Sequence, residues 1–202
     1  MAEPIVFSSN DGQSLSSGIQ ETPFAGMYFL PFTAASDHRG FYAELFRLPE
    51  LNAILPKSFE IQQTNLSYSV TNVIRGFHAE NWRKLITVIT GTAFCAFADF
   101  RQDSSTFGQV FTATVGDEGM HGSFFLPAGI GNSFCVTQGP VNYVYAVDQL
   151  YKNRDTNGDV AISLFDPHLN VAWPISFEEM ILSERDQSAI SFTERFQVNH
   201  NS

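Results

Sequence analysis

The feature that most constrains this chain is a succession of short β-rich runs cut apart by turn formers. Leu85 to Thr90 stops at Gly91, and Ala93 to Phe100 resumes beyond it. Phe59 to Ser69, Gln109 to Val115, Gly122 to Leu126, Asn132 to Thr137 and Asn142 to Asp148 are further runs. Gly116-Asp117, Pro127-Ala-Gly129 and Gln138-Gly-Pro140 separate them. Runs of this length and spacing specify an all-β sandwich or barrel. The 20 Phe residues supply bulky side chains for its inner faces.

Earlier in the chain, Met27 to Phe32 and Gly40 to Phe46 are also strand-like, and Leu48 to Leu55 reads as a short helix closed by Pro56. Near the end, Ser176 with Glu179 forms a capping-box pattern, and Ser183 to Asp186 is a second helix start. Residues 1–22 are polar and rich in turn formers, so they are expected as a flexible arm. Residues 23–202 then make a single domain, as the length of 202 allows.

The formal net charge of −10 disfavours general nucleic-acid binding or adhesion to an anionic membrane, since both need a basic surface. No run reaches the ~18 apolar residues of a membrane helix. The opening lacks the basic and apolar regions of a signal peptide, so the expected location is cytoplasmic. Cys95 and Cys135 lie in apolar, strand-like runs and read as reduced core residues.

Most candidate motifs are weak. Asp155 to Asp159 resembles a calcium loop, but its Gly158 stands at position 4 rather than 6, and Asn157-Gly158 is a hairpin turn in its own right. His38, His78, His121, His168 and His200 show no metal-ligand spacing. Arg39, Arg75, Arg83, Lys84 and Arg101 form a cationic cluster suited to one bound anion, or else to pairing with nearby carboxylates such as Asp37, Glu44, Asp99 and Asp103. Tyr143 and Tyr145 alternate on one strand and share a face, either as core packing or as a proton donor in an open barrel.

Taken in order, these segments resemble the dTDP-4-dehydrorhamnose 3,5-epimerase family over roughly residues 27–187. Asp37-His-Arg-Gly-Phe-Tyr-Ala-Glu44 is similar to its D-x-R-G-x-x-x-E segment, and Gln63, Asn65, Ser67 and Ser69 to its Q-x-N-x-S-x-S segment. Val73-Ile-Arg-Gly-Phe-His78 is similar to its V-L-R-G-x-H signature. Lys84-Leu-Ile, Asp99-Phe-Arg101, Pro127-Ala-Gly129, Tyr145, Tyr151, Asp166-Pro-His-Leu169 and Leu182 to Asp186 continue the series.

The resemblance implies a double-stranded β-helix (a cupin jelly roll) with short helices near the C-terminus. It also implies a homodimer acting, without cofactor or metal, on a nucleotide-diphosphate 4-keto-6-deoxy sugar. A 4-keto group acidifies the C3 and C5 protons, so an epimerase needs a base, an acid on the other face and a cation near the keto oxygen. By resemblance, His78 is the base, Asp186 orients it, Tyr145 is the acid and Lys84 holds the enolate. Arg75 and Arg39 would hold the diphosphate, while Gln63 and Phe41 would contact the nucleotide. Arg39 and Phe41 would reach the partner's site. Glu44, Asn65, Asn132 and Tyr151 complete the binding set.

The chain departs from the family at Ile130-Gly-Asn-Ser-Phe134, where Asn132 replaces a second active-site His, and at Glu80, where Gln is usual. Asn132 can form hydrogen bonds but carries no proton at neutral pH. The alternatives are a single-centre epimerase, a 3,4-ketoisomerase, or a non-catalytic sugar-nucleotide binder.

Overall fold

The computed structural model describes residues 3–15, 17–153 and 158–197. The calcium-like positions Asp155, Thr156 and Asn157, and also His200, lie outside the described residues. The chain opens with β1 (Ile5–Val6), β2 (Gln20–Glu21) and β3 (Tyr28–Pro31). A hairpin of β4 (Ala34–Asp37) and β5 (Gly40–Ala43) leads to α1 (Leu48–Ile54). The body consists of β6 (Gln63–Ser69), β7 (Ile74–Ala79), β8 (Lys84–Asp99), β9 (Val110–Gly116), β10 (Gly122–Leu126) and β11 (Ile130–Val147). β12 (Val160–Ala161), α2 (Glu184–Gln187) and α3 (Phe192–Phe196) follow.

β8 and β11 run straight through the breaks expected at Gly91 and at Gln138 to Pro140. The two breaks face each other. A Cβ on Gly91, whose φ is +74°, would stand 2.6 Å from the carbonyl oxygens of Gln138 and Pro140, so the close approach requires glycine. Both strands bend here, and the register of β11 on β8 shifts at Gln138 and Asn142. Turn formers in this chain therefore mark corners as well as strand ends.

The bend divides the sheet into two walls. One contains β7, the first half of β11, the second half of β8, and β9. The other contains β6, the second half of β11, the first half of β8, β10 and β3. All these pairings are antiparallel, as in a jelly roll.

Phe97 and Phe111 from the first wall meet Phe124 and Phe29 from the second. The ring centroids of Phe97 lie 5.0 Å from Phe111 and 4.9 Å from Phe124. Each buried Phe contributes roughly 1.5–3 kcal/mol, so this cluster is a main source of stability.

The N-terminal segment differs from the flexible arm expected. β1 pairs in parallel with Phe111 and Thr112 of β9, and β2 pairs with β3. Phe7 is buried among Phe29, Phe111 and Phe124, and Ile19 is buried as well. Two apolar anchors are thus enough to dock a mostly polar stretch.

The C-terminal segment runs beside β7. Ile181 N–H donates to the Asn72 carbonyl at 2.9 Å, and the Ile181 carbonyl accepts from Ile74 N–H at 3.1 Å. Ser176 and Glu179 form the expected cap, with Ser176 Oγ donating to Glu179 Oε2 at 2.9 Å. Ser183 Oγ then caps α2 by accepting from Asp186 N–H at 3.2 Å, which brings Asp186 behind β7. Among the described residues, no helix is long and apolar enough to cross a membrane.

Candidate active site

The site begins with an irregularity in β7. Simple alternation would put Arg75 and His78 on opposite faces. Instead, Asn132 pairs with His78 while Phe134 pairs with Arg75, so three steps on β7 match two on β11. This bulge turns both Arg75 and His78 toward one cavity. Gly76 makes it possible: its φ is +128°, and a Cβ there would lie 2.3 Å from Ser133 Cβ.

That cavity has a volume of about 190 Å³ and is lined by Ser67, Arg75, His78, Glu80, Lys84, Asn132, Phe134, Tyr143 and Tyr145. It lies where the two walls face each other, as the stacking of Phe134 on Tyr143 at 4.3 Å shows.

His78 Nε2 lies 2.6 Å from Asp186 Oδ1. Asp186 is only 3% exposed. Burial pushes its carboxyl up, but the hydrogen bond and charge of His78, the Ser183 hydroxyl and the Arg185 guanidinium outweigh that and hold it below the usual carboxylate range. A buried carboxylate of this kind fixes the ring and favours an imidazolium when one forms.

The facing wall supplies Tyr145, Tyr143 and Lys84. Tyr145 is half-buried. Burial, the nearby Glu80 carboxylate and Tyr151 raise its phenol above the usual range, against the lowering effect of Arg75. It therefore keeps its proton at neutral pH and can donate it. Tyr143 is buried, and its hydroxyl donates to Asn132 Oδ1 at 2.9 Å. Lys84 is 6% exposed and forms an ion pair with Glu80.

The other expected site residues fall into groups. Gln63 and Asn65 continue the inner face of β6 beyond Ser67, with Gln63 Nε2 donating to Asn65 Oδ1 at 2.6 Å. Gln63 Oε1 accepts from Tyr151 N–H at 2.9 Å, and exposed Tyr151 meets Trp82 with centroids 6.5 Å apart. Arg39, Phe41 and Glu44 do not join this cavity. Arg39 pairs with Asp37 on the β4–β5 hairpin, Glu44 pairs with Arg47, and Phe41 is 60% exposed.

The cationic cluster also separates. Arg83 binds Asp148 and the carbonyls of Lys57 and Ser58, while Arg101 binds Asp99. Both anchor the fold. Only Arg75 and Lys84 of the five line the cavity, and Arg75 Nε donates to Ser69 Oγ at 3.1 Å.

Four lining residues lay outside the assigned catalytic and binding set: Ser67, Glu80, Phe134 and Tyr143, the last weighed with Tyr145 as core packing or as a proton donor. Alternation marks three of them, since Ser67 follows Asn65, Phe134 follows Asn132 and Tyr143 precedes Tyr145 by two positions each. Glu80 stood out in the sequence as the departure from the family's usual Gln two residues after His78.

Residues 21–194 match the sequence profile of dTDP-4-dehydrorhamnose 3,5-epimerase. The chain belongs to the dTDP-4-dehydrorhamnose 3,5-epimerase family. It is 27% identical over 162 residues to the dTDP-4-dehydrorhamnose 3,5-epimerase of Shigella flexneri, covering 78% of this chain and 86% of that one.

Two solved structures of the family superimpose on it. One is a 3,5-epimerase from Legionella pneumophila in complex with dTDP-4-keto-L-rhamnose, at TM-score 0.76 and 27% identity, covering 86% of this chain and 91% of that one. The other is a 3'-monoepimerase from Streptomyces bikiniensis in complex with dTDP-quinovose, at TM-score 0.77 and 26% identity, covering 87% and 89%. The epimerase fold expected from the sequence is the fold observed, a cupin-like all-β domain with few helices.

Proposed function

We propose that the cavity between the two walls epimerises a dTDP-linked 4-keto-6-deoxy sugar by removing and returning a proton at C3, C5 or both. The observation that carries this reading is the His78–Asp186 pair opening into the same cavity as Tyr145 and Lys84. Asp186 occupies Nε2, so Nδ1 is the nitrogen that takes the sugar proton. The electron pair moves into the enolate, whose oxygen Lys84 stabilises. Tyr145, on the facing wall, returns a proton to the opposite face of the carbon. Arg75 at the cavity and Gln63, Asn65 and Tyr151 along β6 and its rim bind the nucleotide diphosphate.

The enzyme works as a homodimer in this reading. The β4–β5 hairpin pairs only with itself among the described residues and holds Phe41 and Tyr42 exposed. Arg39 and Phe41 on it then complete the partner's site. Mixing His78→Asn with Arg39→Ala protein would restore activity through hybrid dimers, and sedimentation gives the oligomeric state directly.

A single-centre epimerase is the second reading. It is favoured by Asn132, which replaces a proton-carrying residue, and by the likeness to a 3'-monoepimerase. Proton NMR in deuterium oxide with dTDP-4-keto-6-deoxyglucose tests both. Loss of the C3 and C5 signals supports double epimerisation, and loss of one supports the single-centre reading. Binding without exchange would refute the catalytic reading.

A further inference from the structure

We infer that Tyr143 is a positioning residue that fixes the Asn132 carboxamide as a hydrogen-bond donor to the sugar, an inference resting on the epimerase reading above. Asn132 is the direct cross-strand partner of His78 on the adjacent strand, and both line the cavity. Its side chain therefore lies beside the base.

An Asn side chain can present either its oxygen or its NH2 group, and hydrogen-bond partners decide which. Here the Tyr143 hydroxyl donates to Oδ1 at 2.9 Å. Tyr143 itself is held firmly. It is 2% exposed, and its ring stacks on Phe134 at 4.3 Å with planes 11° apart. Burial raises its phenol well above the usual range, so it remains a donor. With Oδ1 engaged, the carboxamide turns its NH2 toward the cavity. The sugar oxygen nearest His78 accepts from it.

The bond also crosses from one wall to the other. Asn132 belongs to the half of β11 that pairs with β7, and Tyr143 to the half that pairs with β6. The donor beside the base is thereby referenced to the wall carrying Tyr145. Tyr143 does not itself meet the sugar as a proton donor, because its one hydroxyl proton is given to Asn132.

The test uses full-length protein, with solvent-deuterium exchange and steady-state kinetics on dTDP-4-keto-6-deoxyglucose. Tyr143→Phe keeps the ring and its stack but removes the hydroxyl. Both Tyr143→Phe and Asn132→Ala are expected to lower kcat/KM roughly three- to tenfold, the range of one hydrogen bond. Tyr143→Phe made in the Asn132→Ala background is expected to add no further loss. A merely structural role would add in both backgrounds and lower the melting temperature in step.

Asn132→Asp keeps the acceptor for Tyr143 but replaces the donor, and is expected to lose at least as much as Asn132→Ala. Independent losses in the double variant, or a fully active Asn132→Asp, would overturn the inference while leaving wild-type exchange intact. Absence of wild-type exchange would overturn the epimerase reading and this inference with it.

Discussion

Replacing Asp186 by Asn isolates the charge behind His78. The substitution preserves shape and an acceptor oxygen, so the ring can stay in place. The negative charge is lost. On the proposed mechanism its effect is read when His78 takes up the sugar proton, which sets opposite charges across the 2.6 Å contact. A charge-assisted hydrogen bond exceeds a neutral one by about 1–1.5 kcal/mol, which sets the lower limit of the effect. Charge centres ~4 Å apart attract by about 4 kcal/mol at an effective dielectric near 20, which sets the upper limit. The expected fall in kcat is therefore roughly tenfold to a thousandfold, centred near a hundredfold. KM should stay within about threefold, since Asp186 acts through His78 and not on the sugar. The assay is steady-state epimerisation with circular dichroism as a control for folding. A folded Asp186→Asn enzyme with kcat within threefold of wild type would refute the assignment of imidazolium stabilisation to Asp186.

Further substitutions probe other parts of the molecule. Tyr145→Phe should keep solvent exchange at the sugar while cutting inverted product by roughly a hundredfold or more, read by NMR of exchange against product stereochemistry. Gly76→Ala should lose about 2 kcal/mol or more, because the new Cβ meets Ser133 at 2.3 Å and φ is +128°. Thermal unfolding checks this, and a wild-type melting temperature would remove the bulge argument. Phe97→Ala should cost about 3–5 kcal/mol in urea unfolding, whereas Val6→Ala, at a position 77% exposed, should stay within about 0.5.

Acid stability supplies a test of sign. Burial raises Asp99, but hydrogen bonds from Arg101, Ser104 and Thr106 outweigh it and lower its carboxyl, as the His78 pair does for Asp186. Their contributions are fully present above the unfolded value near ~3.9 and disappear as pH falls through the lower folded values. Asp99→Asn should flatten the acid limb of a stability-versus-pH curve, and an unchanged limb would contradict this.

The sequence carried the β architecture and the caps at Ser176 and Ser183, because alternation, turn formers and capping are local signals, while the family resemblance pointed to His78, Lys84, Asn132 and Tyr145, which the structure brings to one cavity. What it hid was non-local. Gly91 and Gln138 to Pro140 look like strand ends until their opposition reveals two corners in continuous strands. Arg75 to His78 shows no alternation, since its strand contains a bulge that only the partner strand defines. The anchoring of residues 5–7 depends on a slot among Phe29, Phe111 and Phe124. Likewise, Asn132 reads as a bare replacement of the family His until Tyr143, eleven residues on, is found bonded to it.

The continuity of β8 and β11 through their shared bend bears on how a ligand can enter. β8 and β11 each run through both walls of the cavity, so no flexible linker separates the walls and neither can swing as an independent body. A jaw-like opening would have to tear the pairing of β8 on β11 along both halves. Admission is then expected through movement of lining side chains such as Arg75 over a stationary frame. The empty and occupied forms of this enzyme should accordingly share one backbone.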